Sequence, residues 1–140
     1  MRLNPLCVLL AVSALSACAS PMPPKADDAL RIPMSYLPGE LLMADKLDGQ
    51  RWHDGRYVDL SPGQHELEVK LQFERASGGG LSDENETIQV TCHYRLHYDF
   101  QAGQQYRVHG QKQGWKGYVR LLDEQGQVLA RGKELRCGAF

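Results

Sequence analysis

Thr87-Ile-Gln-Val-Thr-Cys-His-Tyr-Arg-Leu-His-Tyr-Asp-Phe100 decides the fold class. In an extended chain, Ile88, Val90, Cys92, Tyr94, Leu96, Tyr98 and Phe100 fall on one side; Gln89, Thr91, His93, Arg95, His97 and Asp99 fall on the other. A period of two sustained over this length marks a half-buried strand, because successive side chains of an extended backbone point to opposite faces. Gln64 to Arg75 repeats the pattern, with Leu67, Val69, Leu71 and Phe73 against Glu66, Glu68, Lys70, Gln72 and Glu74. The polar, glycine-rich Ala76 to Asn85 between them reads as a mobile hairpin loop.

Turn signals divide the chain on either side. Asp48-Gly49, Asp54-Gly55, Ser61-Pro62-Gly63, Ala102-Gly103 and Glu124-Gln125-Gly126 are tight-turn sequences. They bound further strands expected at 41–46, 56–60, 105–109, 115–122 and 127–131. No segment of the mature chain has helical periodicity. The expected fold is all-β: a small antiparallel β-sandwich or open barrel of about seven strands. The chain has 140 residues, room for one such domain.

The N-terminus carries a different message. Arg2 precedes an apolar run, Leu6 to Leu15, that is too short to span a bilayer as a helix of about 20 residues. The run ends in Leu15-Ser16-Ala17-Cys18, which resembles the lipobox of bacterial lipoproteins: a branched aliphatic residue, two small residues and cysteine. The resemblance implies removal of residues 1–17 as a signal peptide and a thioether-linked diacylglyceryl group on Cys18. Several acyl chains together hold a protein on a membrane far longer than one can. Ala19, where an aspartate would resemble an inner-membrane retention signal, implies outer-membrane anchorage facing the periplasm. Residues 18–33, rich in proline at Pro21, Pro23 and Pro24, are expected to form a flexible extended tether, and residues 34–140 the β-rich domain.

Cysteine usage follows from that address. Cys7 leaves with the signal peptide and Cys18 takes the lipid, so Cys92 and Cys137 remain for a disulfide in an oxidising compartment. Neither has a second ligand at zinc-like spacing.

Two further stretches resemble a known architecture. Leu47-Asp48-Gly49 followed by Val58-Asp-Leu-Ser-Pro-Gly-Gln-His-Glu-Leu-Glu-Val69 is similar to the hairpin of PEGA-like envelope β-domains. Phe100-Gln-Ala-Gly-Gln-Gln-Tyr106-Arg-Val108 resembles the segment that accompanies that hairpin in uncharacterised proteobacterial lipoproteins. Both matches consist of turn and core residues, so they bear on fold more than on activity.

Functional residues are harder to read. There is no G-x-S-x-G elbow, phosphate loop or zinc-protease motif, and no catalytic residue is assigned. His93 and His97 share the polar face with Asp99, but residues four apart on a strand stand about 13 Å apart, at ~3.3 Å each. One metal ion cannot join them on a straight strand, and no metal site is expected. Trp52, Trp115 and Tyr118, with His93 and His97, are the candidate binding residues for a glycan or another envelope protein. No cofactor is expected beyond the covalent lipid. With 16 basic and 17 acidic residues, and Arg2 among those removed, nothing favours nucleic acid. The leading expectation is a non-enzymatic, lipid-anchored envelope protein with a binding or accessory role. The alternatives are a periplasmic inhibitor or immunity-type lipoprotein, and a small metal-dependent enzyme or sensor.

Overall fold

The computed structural model describes residues 20–76 and 87–139. The leader, Cys18 and most of the glycine-rich stretch, including Ser77 to Asn85, lie outside the described residues. Ten strands follow in order: β1 (Leu30–Tyr36), β2 (Glu40–Leu47), β3 (Gln50–Arg51), β4 (Tyr57–Leu60), β5 (Gly63–Ala76), β6 (Thr87–Phe100), β7 (Tyr106–Gln113), β8 (Lys116–Asp123), β9 (Val128–Arg131) and β10 (Lys133–Ala139). They form two five-stranded sheets, one ordered β4-β1-β7-β8-β9 and the other β10-β6-β5-β2-β3. The fold is the expected all-β class.

The two long alternating stretches make the backbone of the second sheet. β5 and β6 pair antiparallel from Gly63 opposite Phe100 to Ala76 opposite Thr87. Their apolar faces meet the other sheet through Leu67, Val69, Leu71, Phe73, Val90 and Leu96, all at most 2% exposed. Burying such side chains stabilises by about 1.5–3 kcal/mol each before chain entropy is charged against it. Two glycines set the distance between the sheets. A Cβ on Gly110 would come within 2.9 Å of Leu71 Cδ1, and one on Gly117 within 2.8 Å of both Leu71 Cδ2 and the Tyr94 hydroxyl. Turn residues meet their backbone demands: Asp48 and Gly49 both have positive φ, as a two-residue hairpin turn requires.

Three features differ from the expectation. First, β1, β3 and β10 raise the strand count above seven. β1 alternates well, but Pro33 masks it. That proline is tolerated because pairing changes partner there: Leu30 to Pro33 pair with β4, and Met34 to Tyr36 with β7. Second, the β1–β7 ladder is parallel, so the sheets are not purely antiparallel.

Third, the last four residues of the expected tether, Leu30 to Pro33, belong to β1, and part of the remainder lies against the body of the protein. Arg31 grips Asp59 through Nε and Nη2, at 2.7 and 2.6 Å, and its Nη1 donates to the Pro23 carbonyl at 2.8 Å. Arg56 repeats the arrangement: Nε and Nη2 bind Asp54, and Nη1 donates to the Ser20 carbonyl at 3.1 Å. A polyproline-type chain turns once every three residues, so carbonyls 20 and 23 present themselves to one side.

Candidate functional site

The sheets meet along two seams. On one side the loop after β3 bridges them; on the other the chain passes from β9 to β10 through Gly132 alone. Gly132 donates to the Val119 carbonyl at 2.8 Å, closing that seam at one point. A Cβ at Gly132 would come within 3.0 Å of Val119 Cβ, which is why glycine stands there.

Beyond Gly132 the seam opens into a groove lined by Tyr94, Lys116, Tyr118, Arg120, Arg131 and Glu134. β8 pairs with β9 only from Arg120 to Leu122, so among the described residues Lys116 to Tyr118 have no strand partner on this side. The Val119 carbonyl points into the seam, and backbone groups two residues apart project alike, so Gly117 turns its N–H and C=O the same way. The floor is polar. The Tyr94 hydroxyl donates to Glu134 Oε2 at 3.3 Å. Burial, reinforced by Glu134, raises the Tyr94 pKa and keeps the phenol a donor. Arg120 lies with its guanidinium 5.9 Å from the Tyr118 ring, and its Nε is buried without an acceptor. A buried donor without a partner costs about 1–3 kcal/mol. The groove thus combines a free strand edge, an aromatic wall and a polar floor.

The five candidate binding residues fall in separate places. Tyr118 lines the groove, and Trp115, 60% exposed in the β7–β8 turn, stands near its upper end with Arg75 6.0 Å from its ring. Trp52 is far from both. It packs edge-on to Tyr57 at 6.4 Å in the opposite seam, with Nε1 buried and lacking an acceptor.

His93 and His97 lie on the outer face of the second sheet, away from the groove. A bulge in β2 between Ala44 and Lys46 turns both Asp45 and Lys46 onto that face. Asp45 binds Lys70 at 2.7 Å, while Lys46 and Arg95 grip Glu68 at 2.7 and 2.6 Å. These bonds hold the Glu68 carboxyl below its ordinary pKa, Lys46 contributing most. His93 is buried among them, 3.9 Å from Asp45, with Arg136 donating to its Nε2 at 3.4 Å. Burial lowers its pKa and the Arg136 charge adds to that. His97 faces Glu66 at 3.4 Å and is exposed. His109 sits in the other sheet, its Nδ1 3.0 Å from Ser35 Oγ. Among the described residues, no group of three or more His, Cys, Asp or Glu is placed to hold a metal ion.

Cys92 and Cys137 face each other in register across β6 and β10, with Cα atoms 4.0 Å apart, at disulfide distance. Sequence reasoning missed Glu134, Arg120 and Tyr94 as groove residues. The available signal was Gly117 inside an alternating strand, since a strand glycine often marks close approach of another chain segment. Comparison of the chain with protein-family models, curated proteins and solved structures finds no match.

Proposed function

We propose that this protein is a lipid-anchored envelope protein that binds an extended segment of another envelope protein along the open β8 edge. The observation that carries the binding role is the groove between β8 and β10. Its unpaired edge at Lys116 to Tyr118 offers the Gly117 N–H and C=O to an extended backbone. Adding a strand to a free edge supplies main-chain hydrogen bonds, and flanking side chains such as Tyr118 and Glu134 supply selectivity. The address rests on the lipobox-like Leu15-Ser16-Ala17-Cys18, with the oxidising periplasm suited to a Cys92–Cys137 bond.

Two measurements test this reading. Cys18→Ser should abolish incorporation of labelled palmitate and release the protein from membranes; retention of label would end the anchor assignment. A photo-crosslinking amino acid at position 118 should give one discrete adduct with an envelope protein in cells, identified by mass spectrometry. The adduct should fall at least tenfold when Glu134→Ala and Arg120→Ala are added, and position 125 should give none. Equal adducts at 118 and 125 would refute groove binding.

A further inference from the structure

We infer that the β1–β2 turn, Tyr36-Leu37-Pro38, is the part of the domain that rests in the lipid interface, held there by the Arg31 and Arg56 clasps on the proline-rich segment. This rests on the anchor reading above. The argument begins with direction. The Pro23 carbonyl is held by Arg31 at the start of β1, and the Ser20 carbonyl by Arg56. Arg56 lies beside Met34, whose N–H donates to the Arg56 carbonyl at 2.9 Å. The proline-rich segment therefore runs antiparallel to β1, and each residue nearer the N-terminus lies further toward Tyr36.

Cys18 stands two steps before Ser20, with Ala19 between, which limits the lipid-bearing cysteine to about 7 Å from the Arg56 contact. Along β1, Met34 to Tyr36 covers much the same distance, ~3.3 Å per residue. A group attached to Cys18 thus has the reach to meet the β1–β2 turn.

An independent observation marks the same place. Tyr36, Leu37 and Leu41 are 44, 48 and 37% exposed, a concentration of large apolar side chains around one short turn. Apolar and tyrosyl side chains gathered at one turn suit the boundary between acyl chains and phosphate head groups. Each clasp is rigid, because its guanidinium is already fixed on a carboxylate. Arg56 holds the Asp54 carboxyl down to about 2. The proline-rich segment then sets orientation as well as reach.

The test uses the full-length protein, matured in cells, purified and reconstituted in vesicles of phosphatidylcholine and phosphatidylglycerol containing brominated acyl chains. Trp52→Phe and Trp115→Phe remove the native indoles, and a single tryptophan is placed by Leu37→Trp or, at the far end of the sandwich, by Gln125→Trp. Mass spectrometry of the same samples verifies the lipid on Cys18. The tryptophan at 37 should be blue-shifted and quenched severalfold more than that at 125. Adding Arg31→Gln and Arg56→Gln should remove most of that difference while circular dichroism stays unchanged. Equal quenching at 37 and 125 in lipidated protein would overturn the orientation and leave the anchor standing. Equal behaviour with and without the clasps would overturn their role. Absence of the lipid would refute the anchor, and this inference with it.

Discussion

Lys46 owes its position to one extra residue. Leu42 and Ala44 point inward, so strict alternation would have sent Lys46 into the core; the bulge at Asp45 places both side chains on the outer face. The Asp45 carboxylate, only 7% exposed, meets Lys70 and lies near His93, and the rest of the cluster balances charge around them. His93 is the group that responds to pH. The groups facing it are Asp45, Glu68, Lys70 and Arg136, and its dominant influence is burial. Its folded pKa lies below the ordinary value, so the unfolded chain takes up the proton first. Stability is then complete above about pH 6.5 and falls as pH drops toward the folded pKa. For one proton the slope cannot exceed about 1.4 kcal/mol per pH unit. His93→Gln should flatten thermal stability measured between about pH 7.5 and 5. An unchanged slope would assign the loss to other histidines. Glu68 and Asp48 are lowered carboxylates whose contribution, present above about pH 4, disappears only under stronger acid.

At the scale of elements, the alternating stretches were legible because burial on one face writes itself directly into period two. β5 and β6 lie where Leu67 to Phe73 and Ile88 to Phe100 place them. β10 was not legible. Lys133-Glu-Leu-Arg-Cys-Gly-Ala139 is an edge strand, exposed along most of its length, and solvent on both faces leaves no alternation to read. The groove escaped for a related reason: it is made of strand edges, and which edges stay unpaired depends on sheet order, not on any local pattern. Residue type alone groups Tyr118 with Trp52, although the two stand in different seams. For β10 the attachment to Cys92 matters most, since its packing contributes little. Cys137→Ser should lower unfolding free energy in denaturant by up to about 4 kcal/mol, the loop-entropy value for a sequence separation of 45. Reductant should reproduce that loss in the parent chain and leave the variant unaffected. A variant as stable as the parent would mean that the bond adds nothing.

At the scale of the whole molecule, the two sheets differ in how far apart in sequence their partners lie. β5 and β6 are consecutive strands, and β2 reaches β5 through a short intervening stretch. β1 instead joins β7 in a ladder that brings Ser35 to His109, 74 residues away. Contacts of long sequence separation are entropically late, because a large loop must close before they can form. In refolding followed by pulsed hydrogen exchange, amides of Val69 and Leu71 should therefore gain protection before that of Ser35, whose N–H faces β7; the reverse order would contradict this ranking. The parallel ladder thereby acts as a timer. Leu30 to Pro33 can pair with β4 and close the arginine clasps as a nearby event, whereas Met34 to Tyr36 wait until β7 is seated. One strand is thus set down in two stages, and its first half is a mount before its second half is a wall.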